Sequence, residues 1–414
     1  MAVPKLRFNE FDGGWSNKKI GEIAVVTSGG TPSRNIPKYW NGHIPWVTTS
    51  LVDFNIINNA EEFITQDGVD NSSAKLFPKN TILMAMYGQG ITRGKVAILG
   101  IDATTNQACA AIKLRDGIDI HFVFQNLMNR YEEIRDLSNE GGQKNLSAGI
   151  IKDISISYPS KPEQTKIASF LSAVDEKISQ LTQKHALLSQ YKQGMMQKLF
   201  SQQIRFKADD GSEFGEWENK TLSNFIIKHI GGASLKPSDF VEQSEYEVIP
   251  KKAIVPNGYL NLDKDNPTYC SEDFFKANLK NTVDNTYLVT VLRDLVPSGP
   301  SIGYIVKYME NTQYILAQGV YGFKLKEELN KDFLIHFSNT KAYRLVMQSI
   351  MVGSTQVHIR NQDFFGIEIP VPCLEEQTKI ANFLSAIDQK IEVVAQQIEQ
   401  AKTWKKGLLQ QMFV

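Results

Sequence analysis

Cysteine is scarce in this 414-residue chain: Cys109, Cys270 and Cys373 stand far apart and form no CxxC pair. That excludes a zinc knuckle and a disulfide framework. The six histidines are scattered, without HExxH or HxH spacing, and read as core or surface residues rather than metal ligands. Net charge is also missing, because 45 basic side chains balance 45 acidic ones. A chain without basic excess is no strong polyanion magnet by itself, so any DNA binding needs local basic surfaces or help from a partner. No apolar run reaches the roughly 18–20 residues of a membrane span. The opening, MAVPKLRFNE, lacks the apolar core of a signal peptide. Both absences point to the cytoplasm and away from a membrane.

Catalytic motifs are missing as well. MYGQGITRGKVAI (86–98) contains Gly94-Lys95, but Val96 follows where a phosphate loop needs Ser or Thr, so a hairpin turn is expected. DNPTYC (265–270) approaches the [DN]PP[YF] motif of amino-methyltransferases. However, Thr268 replaces the second proline, and no glycine-rich cofactor loop precedes it. Glu61-Glu62 and Glu327-Glu328 read as solvated surface, and there is no nucleophile elbow.

What is present is a repeat. EQTKIASFLSAVDEKI (163–178) returns as EQTKIANFLSAIDQKI (376–391), identical at 13 of 16 positions. Ile167, Phe170, Leu171, Val174, Ile178 and Leu181 in the first copy fall in steps of three and four, as do Ile380, Phe383, Leu384, Ile387, Ile391 and Val394 in the second. One apolar stripe on a helix is the seam of a coiled-coil-like pair. Ser160-Lys161-Pro162-Glu163 reads as a capping box with proline in the first turn. Cys373 is a poor cap, offset by Glu375 and Glu376 in the first turn. Each helix could reach about 57 Å.

The flanking segments repeat more faintly. Arg7-Phe8 matches Arg205-Phe206, and Trp15, Asn17 and Lys18 match Trp217, Asn219 and Lys220. Residues 141–159 align with 354–372, pairing Gln143 with Gln356 and Pro159 with Pro372. The chain therefore divides into domain (1–160), helix (161–200), domain (201–374) and helix (375–414). A period above 200 residues means domain duplication, not a solenoid. TILMAMY, KVAIL, ACAAIKL, TYLVTVL and VYGFKL read as strands, and 120–138 and 331–350 as one helix each. The expected class is α+β: two mixed domains and two long helices forming an antiparallel coiled coil with a pseudo-two-fold internal repeat.

These residues resemble the specificity subunits of type I restriction–modification systems. The resemblance is carried by the two EQTKIA helices, the endings YKQGMMQKLF and WKKGLLQQMF, and the first-domain stretch SGGTPSRNIPKYWNGHIPWVTTS (28–50). It is weaker in the second domain, where HIGGASLKPSDF keeps two glycines and no IPW follows. The resemblance implies two target recognition domains, each reading one half of a split, asymmetric target in double-stranded DNA. It also implies helices that set the spacing and dock modification (adenine methyltransferase) subunits, expected as two, with restriction subunits joining them. This chain then needs no cofactor of its own, since S-adenosylmethionine, ATP and Mg belong to the partners, and it is not an enzyme.

Loop residues able to contact phosphates or base edges are the candidate DNA contacts. In the first domain they are Thr31, Ser33, Arg34, Thr48, Thr49, Tyr87, Gln89, Thr92, Arg93, Asn106, Gln107, Gln143 and Lys144. In the second they are Lys236, Arg293, Ser301, Gln318, Gln356, His358 and Arg360. Phe170, Leu171, Phe383 and Leu384 are the candidate partner-docking positions. Two other readings stand beside this one: a coiled-coil scaffold binding only protein, and a methyltransferase or nuclease acting alone.

Overall fold

The computed structural model describes residues 3–88, 91–137, 145–294 and 301–414. The chain forms two compact units. The first holds residues 1–183 and 395–414, the second residues 184–394. Each therefore takes its own domain, the start of the helix that follows it, and the end of the other long helix.

Among the described residues, the first unit carries a five-stranded sheet in the order Ala24–Ser28, Cys109–Leu114, Ile82–Ala85, Val96–Leu99, Ile56–Ile57. A three-stranded sheet runs Glu62–Ile64, Trp40–Val47, Thr104–Thr105, the last pair parallel. The second unit repeats the plan. Its four-stranded sheet is Ile226–Gly231, Val320–Leu325, Leu288–Val291, Ile305–Val306, and its three-stranded sheet is Val248–Ile249, Tyr314–Leu316, Thr282–Val283. The apolar runs of the sequence become strands because both faces are covered: Ile82–Ala85 and Leu288–Val291 are buried throughout. Val96–Leu99 pairs antiparallel with Ile82–Ala85, as the hairpin reading of 86–98 expects.

Where the sequence suggests one helix per domain, the structure has two in succession. Ile120–Asn129 gives way to Tyr131–Asp136 at Arg130, whose ψ of 18° leaves the helical region. Lys331–Ser338 and Lys341–Ile350 are separated because Asn339 Nδ2 and Ser338 Oγ donate to Ile335 O. Thr340 then caps the next helix, accepting from Tyr343 N–H at 3.3 Å.

The long helices span Lys161–Phe200 and Leu374–Met412. In the first unit, Ile167, Leu171 and Val174 share a core with Leu408, Leu409, Met412 and Phe413. In the second, Ile380, Leu384 and Ile387 share one with Met196 and Leu199. Asp175 pairs with Lys405 at 2.6 Å in the first unit, and Asp388 with Lys192 at 2.5 Å in the second, so the ion pairs repeat too.

The repeated Glu-Gln pair fastens each domain to its helix. Glu163 is 1% exposed and takes Arg7 Nε and Nη2, each at 2.7 Å. Glu376 is fully buried and takes Arg205 at 3.1 and 2.7 Å, plus Trp217 Nε1 at 3.1 Å. Gln164 Nε2 donates to Pro159 O and its Oε1 accepts from Asp119 N–H; Gln377 does the same with Pro372 O and Asn330 N–H. The carboxylate assigned to a capping box thus binds arginine, because a buried charge needs an opposite charge more than a helix terminus needs another acceptor.

Candidate nucleic-acid interface

In both units the strands end in the same way, and the loops there are where the polar candidates gather. Ser28 pairs with Ala110, Ala85 with Cys109 and Val47 with Thr105, so the loops after residues 28, 47 and 85 and before residue 109 lie together. Thr31, Thr48, Thr49, Tyr87, Asn106 and Gln107 therefore share one end of the first unit. Thr31 Oγ1 donates to Gln107 Oε1, and Thr48 Oγ meets Ser50 Oγ. Tyr87 is 41% exposed.

A set of backbone hydrogen bonds holds this end, and the second unit repeats it. Met86 N–H donates to Ala108 O at 2.8 Å, and Leu292 N–H to Gly319 O at 3.0 Å. Asn106 N–H reaches Val47 O at 3.0 Å, and Ala317 N–H reaches Ile249 O at 3.1 Å. Leu146 N–H donates to Met86 O as Ile359 N–H does to Leu292 O, and Val52 N–H to Thr49 O as Ile254 N–H does to Lys251 O. The frame puts Thr49 and Lys251 at matching places, likewise Tyr87 and Arg293, and Gln107 and Gln318.

The paired glycines serve this frame. Gly29 N–H donates to Cys109 O and Gly30 N–H to Thr105 O, so these donors are engaged within the chain. A Cβ at Gly29 would lie 2.2 Å from Thr105 O, and one at Gly232 would lie 1.9 Å from Ala317 O. Only glycine permits such backbone approach.

The remaining candidates separate. Arg34 forms a two-pronged pair with Glu62, holding that carboxyl below its ordinary range, and its guanidinium lies 3.7 Å over the Trp40 ring. Arg93 Nε donates to Arg135 O at 3.1 Å, and Arg360 Nε to Asp363 at 2.6 Å. These three arginines are tied to their own units. Ser33 and Lys236 are exposed on loops, while Thr92 and Ser301 are half-buried in turns. His358 pairs with Arg293 in a two-stranded ribbon, and Gln356 is exposed in the turn before it. Gln89, Gln143 and Lys144 lie outside the described residues.

The docking positions need correction. Leu171 and Leu384 are 0% exposed and belong to the cores of their units, so neither offers surface to a partner. Phe170 and Phe383 are half-buried against Phe8 and Phe206, at 5.8 and 5.6 Å between ring centroids. The double apolar position seats the Arg-Phe segment that opens the preceding domain.

Sequence reasoning missed Lys251 and Lys252. The segment Val248–Lys252 takes the place of Trp46–Ser50, down to the short turns Thr49–Leu51 and Lys251–Ala253. Only the parallel strand, not shared residue types, marks the match. Among the described residues no cluster of three or more His, Cys, Asp or Glu could hold a metal ion, and no helix is long and apolar enough to cross a membrane. Cys109 is buried, which pushes its thiol up to about 12.

Comparison with known proteins decides what this duplicated frame is. The family model for the type I restriction modification DNA specificity domain matches residues 12–190 and 215–403. The chain belongs to that family. As a specificity-domain protein it is similar to the type I restriction enzyme MjaVIII specificity subunit of Methanocaldococcus jannaschii, 24% identical over 95% of this chain and 91% of that one. It is 29% identical to the MjaIX specificity subunit of the same organism, over 58% of this chain and only 56% of that relative's length. The crystal structure of the type I restriction–modification S subunit from M. genitalium superposes with a TM-score of 0.61 at 17% identity. It covers 100% of this chain and 99% of that one, and establishes the specificity-subunit fold.

Proposed function

We propose that this chain is the DNA-recognition subunit of a type I restriction–modification complex, without a catalytic step of its own. Each unit reads one half of a bipartite target in double-stranded DNA. The observation that carries this is the duplicated frame: one set of backbone bonds presents Thr49 and Tyr87 in the first unit and Lys251 and Arg293 in the second. A shared scaffold with different side chains reads two different half-sequences, so the target is asymmetric.

The long helices are the spacer. In each unit the start of one helix packs with the end of the other, which supports an antiparallel coiled coil. Half-sites on one DNA face lie about 34–36 Å apart, within the reach of helices of about 57 Å. Modification subunits, two of them, dock on exposed helix faces, and restriction subunits join that assembly in the cytoplasm. S-adenosylmethionine, ATP and Mg act in those partners.

Long-read methylation sequencing of the host genome with and without the gene is the test. Loss of one split N6-methyladenine motif on deletion is the expected result. An unchanged methylome in cells that express the chain with its modification subunit overturns the reading.

A further inference from the structure

The second unit places the end of Lys251 and the base of the Arg293 side chain beside one glycine. Gly319 has φ +91°, and a Cβ there would sit 2.8 Å from Lys251 Cε, 3.4 Å from Lys251 Nζ and 3.1 Å from Arg293 Cβ. Among the described residues neither Lys251 nor Arg293 forms an ion pair. Arg34 and Arg360, by contrast, are each committed to a carboxylate. Cationic side chains not committed to a carboxylate raise the local potential and favour an anionic or strongly accepting ligand.

Both side chains also stand on a fixed base. Arg293 pairs with His358, and Ile359 N–H donates to Leu292 O at 2.9 Å. Lys251 begins the short turn Lys251–Ala253, anchored by Ile254 N–H to its carbonyl at 3.1 Å. Recognition needs that rigidity, because a base edge is read by geometry. In the first unit, Thr49 and Tyr87 hold the matching places, so this cation pair belongs to the second half-site alone.

We propose that Arg293 reads a guanine in the half-target of the second unit and that Lys251 holds the neighbouring phosphate. The inference rests on the DNA-recognition reading above. The planar guanidinium fork matches the O6 and N7 acceptors of guanine in the major groove. An ammonium is a point charge, which suits phosphate and carries no base information. Gly319 leaves both side chains room to flank one base step, and Gln318 beside it is exposed to the same ligand.

The experiment uses the full chain assembled with its modification subunit. Methylation motifs and binding to cognate and single-mismatch duplexes are measured for the wild type, Arg293→Ala, Arg293→Lys and Lys251→Ala. Arg293→Ala is expected to relax one guanine position in one half-motif and to weaken cognate binding about 10- to 100-fold. The other half-motif stays intact, which also certifies that the variant folds and assembles. Arg293→Lys, lacking the fork, is expected to relax the same position. Lys251→Ala is expected to weaken all duplexes evenly and make the slope of log affinity against log salt shallower by about 0.9. An Arg293→Ala complex that keeps the wild-type motif, or a half-motif without guanine, overturns this inference while leaving the recognition reading in place. A wild-type complex that methylates no split motif overturns the recognition reading itself.

Discussion

At the scale of single residues, the repeat is explained by buried polar groups. Glu376 has no exposed side-chain surface, whereas Arg205 retains 19%. The two partners should therefore respond differently to removal. Arg205→Met strands a fully buried carboxylate and is expected to destabilise the second unit by about 3–5 kcal/mol. Glu376→Gln keeps an acceptor for Arg205 and Trp217 and leaves the charge on the arginine, which retains some contact with solvent, so a loss of about 1–3 kcal/mol is expected. Urea unfolding of the two variants measures the order, and equal losses would sink the argument. The sequence displays this tie as Arg7-Phe8 and Arg205-Phe206 echoing one another, each with an EQ pair downstream. It does not reveal that they meet across 156 and 171 residues. Local pattern therefore suggests a helix cap where tertiary contact makes an ion pair.

At the scale of elements, strands were legible and helix ends less so. Ile82–Ala85 and Cys109–Leu114 announce themselves by short β-branched or small apolar runs between turn residues. The break at Ser338–Thr340 depends on side chains bonding back to Ile335 O, which periodicity does not register. That same helix carries a pH-sensitive contact. His336 Nε2 lies 3.1 Å from Ser385 Oγ, and Nδ1 lies 3.9 Å from Asp388, which is already paired with Lys192. Burial, with nearby Lys192 and Lys307 outweighing Asp332, pushes the imidazole down to about 3. An unfolded histidine takes up its proton near pH 6.5. Between about pH 6.5 and 3 the unfolded chain holds one proton more than the folded one, so stability present at pH 7 is lost as pH falls. The loss approaches about 1.4 kcal/mol per pH unit for one proton. Denaturant unfolding at pH 7, 6 and 5 should show it, and His336→Gln should flatten the slope. A slope unchanged by that substitution would assign the proton to another group.

At the scale of the whole molecule, the charge balance bears on how DNA is held. Residues 1–160 carry 16 basic and 16 acidic side chains, and residues 201–374 carry 18 and 21. The domains therefore offer neutral or slightly acidic totals, and several arginines that look available in sequence are tied to carboxylates or backbone oxygens. Of the candidate DNA contacts in the second unit, three cations, Lys236, Lys251 and Arg293, are left without a carboxylate partner among the described residues. Each phosphate neutralised contributes about −0.9 to the slope of log affinity against log salt on duplex DNA. The chain alone is accordingly expected to bind a cognate duplex weakly, with a slope of about −3 or shallower. With modification subunits bound, the slope is expected to steepen to about −6 or beyond, which is the result if partners supply the remaining phosphate contacts. Binding isotherms at several salt concentrations, with and without those subunits, measure both values. A steep slope from the chain alone would mean that its basic surface is larger than these side-chain pairings leave open, and that the DNA clamp lies within this subunit.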